Sequence, residues 1–143
     1  MVTWKTDIET AHIVLIISDQ PETAASWNTL FTQRNCIVLV ESETSDAVQS
    51  ARLIDPSLVV MDVQLPKTER TELLKELRAT CRGHILMLIS ANTVDEILEA
   101  NRSGADECLV KPVNPAVLIV KAMAWLGHGH RSERFPAPIS VTL

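Results

Sequence analysis

The stretch LVVMDVQLP at residues 58–66 decides the fold of this chain. Its first four residues are apolar, and Asp62 follows them directly. A carboxylate at the end of an apolar strand is costly, because desolvating a charge opposes folding unless something uses that charge. Polar side chains stand at the ends of three other apolar runs: Asp19, Ser90 and Lys111. The four groups together indicate a phosphate-handling site at one edge of a sheet.

Five short apolar runs recur along the chain. They are Ile13–Ile17, Ile37–Val40, Leu58–Met61, Ile85–Ile89 and Cys108–Val110. None alternates with polar residues, and continuous apolar strands are typical of a parallel sheet that is covered by helices on both faces.

Helical segments with recognisable start signals lie between the runs. Pro21 suits a first helical position, Thr93 and Glu96 have the spacing of a capping box, and Asn114 before Pro115 is typical of an N-cap. The predicted strands are 12–18, 36–41, 58–62, 84–89 and 106–110, and the predicted helices are 21–34, 45–54, 68–80, 94–103 and 114–126. We therefore expect one α/β domain over residues 1–126, a flavodoxin-like (βα)5 three-layer sandwich, followed by a linker or tail at 127–143.

Composition excludes several classes of protein. A net charge of −5 argues against direct nucleic-acid binding by this segment. No apolar run is long enough to span a bilayer, and residues 1–10 lack the apolar core of a signal peptide, so we expect no membrane partner and a cytoplasmic location. Cys36, Cys81 and Cys108 are widely spaced, which favours buried reduced thiols over disulfides or a zinc site. The chain has no glycine-rich phosphate loop of the kind that nucleotide-binding enzymes carry.

The strand order 2-1-3-4-5, which is common for five parallel strands, brings the polar groups together. The first and third strands are then neighbours at the point where ligands bind, so Asp19 and Asp62 converge there. Paired carboxylates suit Mg2+, and a carboxylate can accept a phosphoryl group as an aspartyl phosphate. Lys111 would supply a cation and Ser90 a hydroxyl donor to the phosphoryl oxygens.

The ordered motifs at the strand ends resemble the receiver domain of two-component response regulators, including chemotaxis-type members. They are IISDQP at 16–21, MDVQLP at 61–66, LISA at 88–91 and GADECLVKP at 104–112. The resemblance implies that Asp62 accepts a phosphoryl group from a histidine kinase or phosphotransfer protein. It also implies that Mg2+ binds to Asp19, Asp62 and the backbone carbonyl of Gln64. Ser90 and Lys111 would sense the phosphoryl group, and the face of the fourth helix, fifth strand and fifth helix would respond.

The same resemblance implies a cis peptide bond between Lys111 and Pro112, and no catalysis beyond self-phosphorylation and slow dephosphorylation. Two positions depart from the family pattern. Ser18 stands where the family carries an acid, which should weaken Mg2+ binding, and Cys108 stands where it usually carries an aromatic ring. These departures leave an alternative open, a phosphorylation-independent pseudo-receiver that acts as a protein-interaction module. A third reading is an enzyme of flavodoxin-like architecture.

Simpler roles compete for the polar residues. Asp62 could be a helix N-cap or a solvated loop acid, and Asp19 could cap the helix that begins at Pro21. His12 and His84 lie at strand starts, on the edge opposite the site, so we expect a structural or exposed position for both. His128 and His130 fall in the predicted tail and are more simply solvated than metal-bound.

The last helix is apolar nearly all round, with Lys121 its one charged residue between 116 and 126. A helix at the edge of a sheet should be amphipathic, so something should cover its outer face. We expect Leu118, Ala122 and Trp125 to contribute to a homodimer or partner interface. The competing expectation is that the tail folds back over the helix through its apolar residues, Phe135, Ile139, Val141 and Leu143.

Overall fold

A computed structural model describes residues 11–90 and 93–127. The described residues form a five-stranded parallel sheet in the order β2-β1-β3-β4-β5, with helices alternating between the strands. The predicted α/β fold and strand order are therefore confirmed. No helix within these two ranges is long and apolar enough to cross a membrane.

The elements follow the predicted boundaries to within two residues at each end. The strands are β1 (Ile13–Ser18), β2 (Ile37–Glu41), β3 (Leu58–Asp62), β4 (His84–Ile89) and β5 (Glu107–Val110). The helices are α1 (Pro21–Thr32), α2 (Thr44–Ile54), α3 (Lys67–Thr80), α4 (Val94–Ser103) and α5 (Pro115–Gly127). The predicted tail beyond Gly127, with His128 and His130, lies outside the described residues.

Local capping agrees with the sequence signals at the last two helices. Thr93 Oγ1 accepts a hydrogen bond from the Glu96 amide at 3.3 Å, which caps α4. Asn114 Oδ1 accepts one from the Ala116 amide at 2.8 Å, next to Pro115 at the start of α5. These side chains satisfy amide groups that the first helical turn leaves without partners.

Burial separates the central strands from the two edge strands. Nearly every residue of β1, β3 and β4 is buried, as continuous apolar strands predict. The expectation of two buried faces is wrong for β2 and β5, which are partly exposed, with Ile37 at 51% and Val110 at 47%. Their position explains the difference, because an edge strand has a neighbour on one side only.

The core has one layer on each face of the sheet. One layer joins the sheet to α2, α3 and α4. The other joins it to α1 and α5 through side chains that include Phe31 and Leu118. Cys36 and Cys81 are buried and Cys108 is half-buried, and all three are free thiols, as expected.

The predicted interface on α5 is wrong for two of its three residues, and the third, Trp125, is half-buried. Leu118 and Ala122 are fully buried in the core, and the Trp125 indole donates a 2.7 Å hydrogen bond to Glu107 of β5. The outward residues of α5 include Val117 and Val120, which are 46% and 68% exposed. A helix that is apolar on every side carries no signal of which side faces the sheet, and this is why the prediction chose the wrong one.

A buried polar cluster joins β4, β5 and α3 at the edge of the sheet opposite the strand ends that carry the predicted site. Asp106 accepts hydrogen bonds from the Ile85 amide at 2.7 Å and from Arg78 Nη1 at 3.2 Å. His84 is buried, with Nδ1 3.6 Å from Asp106 Oδ2, and its ring lies 4.8 Å from that of Trp125. The structural role expected of His84 is thus confirmed, while His12 is half-buried at the start of β1.

Candidate functional site

Asp62 is the buried centre of the predicted site. It is the last residue of β3, pairs in register with Ser18 of β1, and is only 4% exposed. Its Oδ1 atom forms an ion pair with the ammonium group of Lys111 and accepts no geometrically directed hydrogen bond. Burying a carboxylate is expensive even when it has one cationic partner, because an ion pair only partly offsets the loss of hydration, and this cost favours a functional role over that of a loop acid.

Lys111 reaches Asp62 from two strands away. It follows β5, and the peptide bond that joins it to Pro112 is cis, as the resemblance implies. Its side chain is 26% exposed, and its ammonium group forms the ion pair with the buried Asp62. The long side chain lets a residue of the edge strand neutralise a carboxylate on the central strand.

Asp19 faces the loop that follows β3. One of its carboxylate oxygens accepts a 3.3 Å hydrogen bond from the Gln64 amide. The alternative role of Asp19 as a helix cap is wrong, because the N-cap position of α1 is Gln20 and no side chain caps it. Asp19, Asp62 and the Gln64 backbone therefore lie around one corner of the sheet edge.

Ser18 lies at the same corner, at a position where an acidic residue would add a third carboxylate. It is 2% exposed, and its hydroxyl accepts a 3.1 Å hydrogen bond from the Gln20 amide in the β1–α1 loop. Within the described ranges, no cluster of three or more His, Cys, Asp or Glu side chains is placed to hold a metal ion. Any metal here would depend on two carboxylates, a backbone carbonyl and water, a donor set of oxygens that suits Mg2+.

Ser90 and Lys111 line one cavity, which reaches Val63 and Gln64, the two residues after Asp62, and does not include Asp62 itself. The cavity has a volume of about 420 Å3. Its lining residues are Val63, Gln64, Leu65, Arg70, Met87, Leu88, Ile89, Ser90 and Lys111. Ser90 follows β4 directly and is exposed. The structure thus brings all the predicted residues to one sheet edge.

Arg70 is the lining residue that the sequence did not reveal. It lies in a charge-rich segment at the start of α3, where an arginine looks like any solvated helix residue. Its approach to the cavity depends on how α3 packs beside β4, which no local pattern encodes.

Cys108 of β5 is half-buried and packs against the core on the face that α3 and α4 cover. Burial raises the pKa of its thiol to about 11, although the positive charge of Arg70 partly opposes that effect. Its sulfur lies 3.7 Å from Asn101 Oδ1 of α4. The thiol is therefore neutral at physiological pH and packs as a small apolar side chain.

Comparison with known proteins agrees with this geometry. The model of the response regulator receiver domain matches residues 14–123. The chain belongs to the response regulator receiver family. The transcriptional regulatory protein CpxR of Klebsiella pneumoniae is 31% identical over 123 residues, which cover 85% of this chain and 52% of CpxR. AfsQ1 of Streptomyces coelicolor, also a transcriptional regulatory protein, is 29% identical over 84% of this chain and 53% of its own length.

Solved structures show the same receiver fold. A two-component response regulator from Clostridium difficile has a TM-score of 0.74 at 22% identity, over 81% of this chain and 96% of that one. The receiver domain of the sensor histidine kinase PA1611 from Pseudomonas aeruginosa, solved with a magnesium ion in its active-site cleft, has a TM-score of 0.69 at 22% identity, over 82% of this chain and 98% of its own. This chain spans about half the length of the curated relatives that it matches.

Proposed function

We propose that Asp62 is the phosphoryl acceptor of this receiver domain, with a histidine kinase or phosphotransfer protein as the donor. The observation that carries the proposal is the state of Asp62, a carboxylate that is 4% exposed and has Lys111 as its cationic neighbour. Such a group is poorly solvated and is positioned by the sheet, and both properties favour nucleophilic attack over a structural role.

The transfer forms one bond and breaks one. An oxygen of Asp62 bonds to phosphorus while the phosphorus–nitrogen bond of the donor's phosphohistidine breaks, and the electron pair leaves with the imidazole. Phosphoryl transfer of this kind depends on alignment and on positive charge around the phosphoryl oxygens. Lys111 supplies charge and Ser90 a hydroxyl donor, because both line the cavity beside Asp62.

The metal in this proposal is Mg2+, held by Asp19, Asp62 and the Gln64 carbonyl. The amide of Gln64 already bonds to Asp19, which keeps the loop carbonyl close to that carboxylate. When bound, Mg2+ would neutralise charge on the phosphoryl oxygens. Because Ser18 contributes no carboxylate, we expect weaker Mg2+ binding than a site with three acids would give.

The response surface in this proposal is formed by α4, β5 and α5. Each of these elements exposes apolar side chains, including Val94, Leu98, Val110 and Val117. Exposed apolar groups on adjoining elements favour contact with another protein or a second copy of the chain. Since relatives are named as transcriptional regulators, we propose that this cytoplasmic switch acts on transcription through a DNA-binding segment or partner.

The test is phosphorylation by a small donor. Wild-type protein is incubated with acetyl phosphate and Mg2+ and its intact mass is measured, with Asp62→Asn and an EDTA sample in parallel. We expect one added phosphoryl group on the wild type, none on Asp62→Asn and little with EDTA. No adduct on wild type would overturn the proposal and favour the phosphorylation-independent docking module. An equal adduct on Asp62→Asn would also overturn it, because the acceptor would then be another residue.

A further inference from the structure

Arg70 is a basic residue at the wall of the cavity. Its side chain is partly buried and lines the cavity together with Ser90 and Lys111. Across residues 11–90 and 93–127, its guanidinium has no hydrogen bond or ion pair. Two other basic residues of α3 form ion pairs: Lys67 with Glu99 at 2.8 Å and Arg78 with Asp106 at 3.2 Å.

Two observations indicate where the charge of Arg70 acts. Arg70 lowers the pKa of Cys108 on β5, against a larger upward effect of burial, so its charge is felt across the gap between α3 and β5. The cavity wall is mixed, with apolar residues such as Val63 and Met87 beside polar ones. Because Arg70 is partly buried in this concave wall, its guanidinium is less screened than one in open water, so it attracts anions that enter the cavity more strongly.

Phosphorylation of Asp62 would change the net charge of the site, and this change gives the attraction to Arg70 a role. In the unmodified protein, Lys111 neutralises the single charge of Asp62. Converting that carboxylate to an aspartyl phosphate adds roughly one further negative charge, because a phosphoryl group carries about −1.5 to −2 at neutral pH. The added charge appears next to this cavity. Among the described residues, Arg70 is the basic residue of the cavity wall that has no ion pair.

We propose that Arg70 is a second cationic contact of the phosphoryl group once Asp62 carries it. This inference rests on the proposed function of Asp62. A guanidinium can bond two phosphoryl oxygens at once, which an ammonium group cannot do with the same geometry. The contact would also bring the first turn of α3 under the control of phosphorylation, next to the ion pair that Lys67 makes with α4.

The experiment measures equilibrium binding of beryllofluoride, an unreactive mimic of the phosphoryl group, in the presence of Mg2+. Binding is followed by tryptophan fluorescence and 19F NMR in wild type, Arg70→Gln, Arg70→Lys and the control Lys75→Gln. Lys75 lies on the same helix and is exposed, so the control makes the same charge change away from the cavity.

We expect Arg70→Gln to weaken binding about tenfold, which is the range for one charge-assisted hydrogen bond. Arg70→Lys should fall in between, and Lys75→Gln should stay within about twofold of wild type. The salt dependence of binding should also become shallower in Arg70→Gln, because one cation fewer meets the anion. Thermal unfolding of each variant checks that the domain is intact.

Two results separate the inference from the function beneath it. If wild type and Asp62→Asn bind beryllofluoride equally poorly, the proposed function of Asp62 fails. If wild type binds and Asp62→Asn does not, yet Arg70→Gln binds as well as Lys75→Gln, the function stands and the role of Arg70 is refuted.

Discussion

The orientation of α5 makes a quantitative prediction about two neighbouring apolar residues. Leu118 is fully buried against the sheet, whereas Val120, two positions along, is 68% exposed. Truncating a buried leucine to alanine costs about 2–5 kcal/mol, and the lack of exposure at Leu118 suggests about 3 kcal/mol. In a domain of this size that loss lowers the melting temperature by about 10 °C.

The matched variant Val120→Ala should change stability by less than about 0.5 kcal/mol, because it loses little buried area and gains helix propensity. Urea unfolding followed by far-UV circular dichroism measures both variants. It is repeated at two protein concentrations, because self-association would shift the midpoint. Equal losses for the two variants, or a larger loss at Val120, would refute the orientation of α5.

Three further predictions concern buried charge, a thiol and the metal site. Asp106→Asn should destabilise the domain by about 3 kcal/mol, because it leaves the side chain of Arg78 without its buried charge partner. The control Asp55→Asn removes a more exposed ion pair and should cost at most about 1 kcal/mol. The same urea titration measures both variants. The rate at which iodoacetamide alkylates Cys108, followed by peptide mass, should rise with pH and reach half its maximum at the thiol's pKa of about 11. Because the unfolded thiol has an ordinary pKa near 9.0, this group's stabilising effect is complete below pH 9 and is lost as the pH rises through 11. A midpoint near 9 would contradict the burial of the thiol. Ser18→Asp should tighten Mg2+ binding by about tenfold in a fluorescence titration, since it adds a carboxylate to the site; unchanged affinity would show that the corner cannot use one.

The sequence predicts the sheet, and the sheet edge at which the polar residues meet, because both depend on short-range patterns. The buried strands are unbroken apolar runs. Consecutive apolar residues, such as those before Asp62, predict that a strand is buried on both faces. The polar groups follow those runs, and parallel strands carry their carboxyl ends to one edge. Strand order then suffices to bring Asp19, Asp62 and Lys111 together.

The features that the sequence missed depend on packing between distant elements. The apolar α5 has no polar stripe to mark its outer side, so Leu118 and Val120 look alike until the helix is placed on the sheet. The bonds of Asp106 to Arg78 and Ile85 span 28 and 21 positions. Arg70 reaches the cavity because α3 packs beside β4, and nothing near it in the sequence indicates that approach.

The most direct test of the central claim is the chemical location of the phosphoryl group. After reaction with acetyl phosphate and Mg2+, hydroxylamine converts an aspartyl phosphate to a hydroxamate, which peptide mass spectrometry then locates. The account predicts a single modified residue, Asp62, and no modification in Asp62→Asn. A hydroxamate at another aspartate, or none on wild type that is folded and loaded with Mg2+, would contradict it.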